Sequence, residues 1–130
     1  MLLGGENVEP VPIENKLLED AQINQVIVVG QDKKTLTALI WPNLEKVKEV
    51  AGISADAKSD LNKNKELVDH FGKIIKKQVS SENGFKGFER VTDFRFLPKA
   101  MEVGDEITNL FKMKRNVIAD KYAQLIESMY

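Results

Sequence analysis

Cysteine is absent from all 130 residues. Disulfides, thiolate metal ligands and cysteine nucleophiles are thereby excluded, and the absence fits a reducing, cytoplasmic compartment without requiring one. Histidine is almost as scarce: His70 stands alone, so a zinc site has no set of imidazoles to draw on, and no metal-ligating cluster is expected. An excess of one charge is missing too. Nineteen basic against twenty acidic residues leave a formal net charge of -1, which argues against a general nucleic-acid binder held by phosphate attraction, so any basic patch must be local. No apolar run approaches the roughly 20 residues of a membrane-spanning helix. The longest, Val26 to Gly30 and Leu36 to Trp41, are strand-sized. Met1-Leu2-Leu3 passes at once into Gly4-Gly5-Glu6-Asn7, with neither the charged start nor the apolar core of a secretion signal. Internal repeats and low-complexity tracts are also lacking.

What remains is an ordinary soluble composition, 42% hydrophobic and 30% charged, at a length that suits one domain with one modest core, residues 1–130. Pro10-Val11-Pro12, followed by Ile13, Leu17, Leu18 and Ala21 at helical spacing, predicts a short amphipathic helix with its prolines in the first turn. Gln25 to Val29 is β-branched and apolar on both faces, the pattern of a buried central strand ending at Gly30. After a short polar stretch, Leu36 to Trp41 forms a second strand, and so short a connection allows only antiparallel pairing. Asn43 suits a helix cap before Leu44, Val47, Val50 and Ala51, with Gly52 as the stop. A polar stretch leads to a longer helix with the stripe Leu67, Val68, Phe71, Ile74, Ile75 and Val79, broken by Asn83-Gly84. Val91 to Leu97 alternates, Phe94 and Phe96 against Asp93 and Arg95, as a half-buried strand does. Ile118, Tyr122, Leu125 and Met129 mark a final helix. The fold class expected is α+β: a small, mostly antiparallel three-stranded sheet covered by helices.

The most informative segment is Thr108-Asn109-Leu110-Phe111-Lys112-Met113-Lys114-Arg115. It places three cations where the final helix begins. A helix N-terminus is already partly positive, and each added cation there costs about 0.3–1 kcal/mol at an exposed site. A local rule broken in this way points to function: ammonium and guanidinium groups beside free helical N–H groups suit a phosphate or a carboxylate. A solvated basic face is the plainer reading of the segment taken alone.

Other residues carry less. Gly4-Gly5-Glu6-Asn7-Val8 matches neither G-x-G-x-x-G nor G-x-x-x-x-G-K-[ST], although paired glycines permit an unusual backbone path near a narrow ligand. His70, between Asp69 and Phe71 on a helix, reads as a packing residue, because no nucleophile motif accompanies it. Glu102, Asp105 and Glu106 suit a solvated loop better than an acid–base pair. Gly104 among them marks a turn from which the Lys112 segment projects. Trp41 and the phenylalanines follow strand and helix spacings, as core residues do.

Gly4-Gly5-Glu6-Asn7-Val8-Glu9-Pro10-Val11-Pro12-Ile13-Glu14, the hairpin ending in Trp41-Pro42, and Lys112-Met113-Lys114-Arg115 together resemble the C-terminal domain of AMP-forming acyl-CoA synthetases, nearest to the long-chain fatty-acid branch. The ordering covers nearly the whole chain, and the first and last elements are specific in combination. The resemblance implies a mobile lid of an enzyme that activates a fatty acid with ATP and Mg²⁺ to an acyl-adenylate and then transfers the acyl group to coenzyme A. It implies that Lys112 is the catalytic adenylation lysine, with Lys114 and Arg115 beside it at the nucleotide. It implies as well that Gly5, with Gly4 and Glu6, faces the coenzyme A route after the lid rotates.

The partner so implied is a large N-terminal domain, absent from these residues, that carries the phosphate loop and the acyl pocket. The chain alone is therefore expected to fold without catalysing and to hold no cofactor of its own. A cytoplasmic location is implied, with any peripheral membrane attachment residing in the full-length enzyme. Thr108-Asn109-Leu110 stands where the family usually shows Thr-Pro-Thr, which removes one source of loop rigidity and one hydroxyl. Two alternatives stay open: a non-enzymatic binding or interaction module on the same scaffold, and a ligase for a different carboxylic acid.

Overall fold

The computed structural model of the chain describes residues 5, 8–30, 33–56, 58–110 and 112–130. Its first helix, α1 (Pro10–Leu18), carries proline in its first turn, where a missing N–H removes no intrahelical bond. Ile13 and Leu17 are fully buried, whereas Leu18 is exposed and Ala21 lies beyond the helix in a turn. Strands β1 (Ile23–Val29) and β2 (Leu36–Pro42) form the expected antiparallel hairpin, with Val29 opposite Thr37 and Ile27 opposite Leu39.

Two features of the sheet differ from the pattern-based expectation. The third strand, β3 (Val91–Phe96), pairs with β2 in parallel, Ala38 opposite Phe94 and Ile40 opposite Phe96, so the sheet is mixed. The segment between β2 and β3 holds two helices, α2 (Leu44–Ala51) and α3 (Lys65–Gln78), and is ample for the crossover that parallel pairing needs. The strand order is β1-β2-β3, so β2 is the central strand and β1 an edge. From Val26 to Val29 β1 is apolar on both faces, and helices cover both. Val26 and Val28 pack in one cluster with α1 and α3, and Ile27 packs in a second with the C-terminal helices. Two-sided burial and central position give the same sequence pattern.

Side chains close the exposed sheet edges. On β3, Asn62 accepts from the Phe96 N–H at 2.7 Å and donates to the Phe96 carbonyl at 3.1 Å, and Asp93 accepts from the Phe94 N–H at 2.8 Å. Satisfying these groups blunts an edge that would otherwise template pairing with another chain.

Asn43 caps α2 by accepting from the Lys46 N–H at 3.2 Å, and Asn64 caps α3 by accepting from the Leu67 N–H at 3.1 Å. Of the expected α2 face only Val47 is buried, while Val50 and Ala51 are exposed. The α3 stripe packs as its spacing predicts. Phe71 meets Phe96 edge-on at 5.1 Å between ring centres, and Phe96 meets Phe94 at 5.4 Å. The final helix is two: α4 (Arg115–Lys121) and α5 (Ala123–Glu127), separated at Tyr122. Ile118, Tyr122 and Ile126 from this pair fill the second core cluster with Leu39, Leu97 and Met101. The sheet thus lies between two helical layers, each fully buried Ile or Leu contributing about 1.5–3 kcal/mol relative to exposure.

Candidate functional site

The segment from Glu102 to Arg115 leaves the sheet, makes two reversals and returns as α4. The first is a tight turn: Gly104, at φ 93°, donates to the Ile107 carbonyl at 2.8 Å, and Ile107 donates to the Glu102 carbonyl at 3.1 Å. A left-handed backbone of this kind favours glycine. The second reversal runs from Thr108 to Lys112. Here the Thr108 N–H donates to the Lys112 carbonyl at 2.7 Å, the Lys112 N–H donates to Thr108 Oγ1 at 3.1 Å, and Ile107 pairs with Met113 as an antiparallel bridge. The hydroxyl of Thr108 therefore closes the loop. Leu110 is exposed at its tip.

Lys112 is exposed at the base of this loop, and Lys114 is half-buried at the cap of α4. Neither ammonium takes part in an ion pair among the described residues. Arg115 differs. Its guanidinium donates to Glu14 Oε1 at 2.7 Å and to Glu14 Oε2 at 2.9 Å, a two-pronged pair that joins the start of α4 to α1. Glu14 Oε2 also accepts from the Val28 N–H at 2.7 Å, on the β1 edge. The Glu14 side chain is only 5% exposed, and three charge-assisted hydrogen bonds compensate its removal from water. Leaving such a carboxylate without its partner costs about 3–5 kcal/mol in a buried setting. The figure is smaller here because the Arg115 side chain is 38% exposed and screened by solvent.

A second buried carboxylate anchors the loop from below. Glu106 is fully buried, where its sequence context reads as a solvated loop. It accepts from the Lys121 ammonium at 3.2 Å, from the Glu102 N–H at 3.3 Å and from the Tyr122 hydroxyl at 3.5 Å, and its own carbonyl accepts from the Lys114 N–H at 2.7 Å. Lys121 also donates to Asp105 at 2.9 Å. That bond, with a smaller contribution from Glu106, holds the Lys121 pKa above its ordinary value and the Asp105 pKa below its own. Burial pushes the Tyr122 hydroxyl up.

Gly5 is exposed with φ 87°, and a side chain there would meet nothing within 4 Å. Gly4 and Glu6 lie outside the described residues. His70 pairs with Gln22 Oε1 at 2.6 Å and ties α3 to the start of β1, a packing role. Trp41 packs against both core clusters. Among the described residues, no group of three or more His, Asp or Glu side chains is placed to hold a metal ion.

Sequence reading singled out Lys112, Lys114 and Arg115, gave Glu14 no role of its own and placed Glu106 in a solvated loop. For Glu14 a signal existed: it lies three and four positions before Leu17 and Leu18, on the apolar side of α1, where an unpaired charge does not belong. For Glu106 no comparable signal was available, because its burial depends on Tyr122 and Lys121 arriving from α4.

The profile of the AMP-binding enzyme C-terminal domain matches residues 1–130. The long-chain-fatty-acid–CoA ligase FadD15 of Mycobacterium tuberculosis is 31% identical over 135 residues, covering 98% of this chain and 22% of that protein. The chloroplastic long-chain-fatty-acid–[acyl-carrier-protein] ligase AEE15 of Arabidopsis thaliana is 30% identical over 131 residues, covering 100% of this chain and 16% of that protein. The chain thus spans about a fifth of the length of these relatives. Among solved structures, the adenylation domain of a carboxylate reductase from Mycobacterium chelonae superposes with a TM-score of 0.79 at 19% identity, over 99% of this chain and 19% of that one. The corresponding domain from Segniliparus rugosus, solved with AMP and a co-purified carboxylic acid, gives 0.75 at 19% identity over 99% and 19%. Both structures establish likeness of fold.

Proposed function

The chain belongs to the AMP-binding enzyme C-terminal domain family, and from that premise we propose that it is the mobile lid of a long-chain fatty-acid–CoA ligase. The observation that carries this reading is the Lys112 ammonium, exposed at the base of a hydrogen-bonded loop and unpaired among the described residues, in a domain whose relatives include fatty-acid–CoA ligases.

In the first half-reaction a carboxylate oxygen of the fatty acid attacks the α-phosphorus of ATP, a P–O bond forms, and pyrophosphate leaves. Two anions must approach each other. A compact cation between them removes that repulsion and counters the charge that grows on the phosphoryl oxygens, which suits Lys112, with Lys114 adding positive potential beside it. In the second half-reaction the coenzyme A sulfur, having lost its proton, attacks the acyl carbon and AMP leaves. The glycine approach, Gly5 with Gly4 and Glu6 on either side, faces that route after the domain turns, since a residue without a side chain leaves room for a narrow thiol arm. Mg²⁺ bound to the nucleotide phosphates would supply further charge neutralisation. The larger domain of the ligase would provide the phosphate loop and the acyl tunnel, so this chain by itself is not expected to turn over.

The test uses the full-length polypeptide carrying this domain. Lys112→Ala should lower adenylate formation by about 10²–10³-fold while thioester formation from a preformed acyl-adenylate stays within a few-fold, by the logic of separate half-reactions. Lys112→Arg should restore little, because a planar fork does not replace a point charge. Gly5→Leu should slow the thioester step more than adenylation. Equal loss of both steps in Lys112→Ala would overturn the assignment.

A further inference from the structure

The two sequence elements that point to this function, one ending at Glu14 and the other at Arg115, meet in space through an ion pair across 101 positions of chain. Given the reading above, we propose that Glu14 and Arg115 are positioning residues. Their pair ties α1, which follows Gly5 in the chain, to the loop carrying Lys112, so that the aim of Lys112 depends on a carboxylate that touches no substrate.

Four observations support this. Glu14 is committed inward: the Val28 N–H and both prongs of Arg115 occupy its oxygens, and the side chain is buried. Both prongs of Arg115 are likewise engaged, and a two-pronged planar contact fixes orientation as well as distance. The covalent tethers are short. Arg115 is the third residue after Lys112, and Glu14 sits in α1, which starts at Pro10, only five residues after Gly5. A second anchor, the Lys114 N–H to the Glu106 carbonyl at 2.7 Å, holds the neighbouring backbone, so the loop is pinned to β1 and α1 through Arg115 and to its own base through Glu106. Stability alone does not call for a charge here, because a well-packed apolar pair commonly serves as well or better. What an apolar pair would not supply is the fixed register between α1, the β1 edge and the start of α4.

The inference separates this pair from Lys112 in kind. Lys112 belongs to one half-reaction, whereas the pair serves the geometry of the loop itself. Two measurements test it, on Arg115→Lys, which keeps the charge and loses the fork, and on Glu14→Gln, which keeps an acceptor for Val28 and loses the charge. In the 130-residue chain, amide hydrogen exchange at Thr108 and Lys114 should quicken at least about 10-fold while the α3 amides stay unchanged, since local opening is read residue by residue. In the full-length polypeptide, kcat for adenylation should fall about 10-fold with the KM for ATP unchanged. Arg115→Met is the more severe variant, and the two conservative ones keep the question open to test if it fails to fold. Unchanged loop exchange, or unchanged kcat, overturns the inference. A raised KM for ATP with kcat intact also overturns it, by placing Arg115 directly on the nucleotide. The exchange measurement needs no activity. It therefore still judges the pair if Lys112→Ala proves fully active and the proposed function itself fails.

Discussion

Thr108 and Lys112 close on each other: the Lys112 N–H donates to Thr108 Oγ1 at 3.1 Å, and the Thr108 N–H donates to the Lys112 carbonyl at 2.7 Å. The side chain of one residue and the backbone of both thus set the base from which the Lys112 ammonium extends. Thr108→Val removes the hydroxyl and keeps the shape. The loop is exposed, so water satisfies the freed N–H and global stability should change by less than about 1 kcal/mol. On the role proposed for Lys112, adenylate formation in the full-length polypeptide should nevertheless fall several-fold, because a small misplacement of a catalytic group is costly. Thr108→Ser should recover most of the loss. Half-reaction rates for the three proteins decide it, and a Thr108→Val enzyme as fast as the parent would show that the hydroxyl plays no part in aiming Lys112.

The Asp105–Lys121 pair predicts a specific pH dependence. Hydrogen bonding to Lys121 lowers the Asp105 carboxyl below its ordinary 3.8 in the folded state. A depressed carboxylate stabilises the fold above its unfolded value, and that contribution disappears as pH falls through the lower folded value. Lys121 is shifted the other way, above 10.5, so its contribution is complete below that pH and disappears in strong alkali. Thermal melting of Asp105→Asn should accordingly show a shallower loss of stability below about pH 3.8 than the parent. Parallel acid limbs in the two proteins would mean that the pair contributes nothing to folding.

Gly30 ends β1 at φ 151°, and a methyl group there would lie 2.8 Å from Leu36 Cδ2 and 3.0 Å from the Thr35 carbonyl oxygen. Gly30→Ala should destabilise the domain by roughly 1–3 kcal/mol, the scale of a strained backbone position. The cause is contact as much as dihedral angle, since Gly5, also left-handed, has open space around it. Urea unfolding measures the difference as a lowered midpoint at constant slope. An unchanged midpoint would contradict the close approach of Gly30 to Thr35 and Leu36.

Most secondary structure was legible because local chemistry enforces it. Asn43 and Asn64 cap the helices that follow them, prolines sit in the first turn of α1, and the stripe from Leu67 to Val79 forms the core face of α3. The α+β class followed from the order of those elements. Strand placement was less legible. An apolar run such as Val26 to Val29 records how many faces are covered, not which strands lie beside it, so β1 resembles a central strand while forming an edge. The parallel pairing of β3 was hidden for a related reason: two helices intervene, and either direction of return is open to a segment of that length.

The candidate site divides along the same line. Residue type and order by themselves determined that three cations crowd the start of the last helical segment, that a glycine pair precedes a proline-initiated helix, and that Thr108 precedes Lys112 at loop spacing. Only the tertiary structure decided which of those cations is paired. It gives Arg115 to Glu14 and leaves Lys112 exposed, and it buries Glu106 beneath the loop. The physical reason is that the environment of a charge depends on what else reaches it, and the partners of Arg115 and Glu106 arrive from segments distant in sequence or through folding of α4.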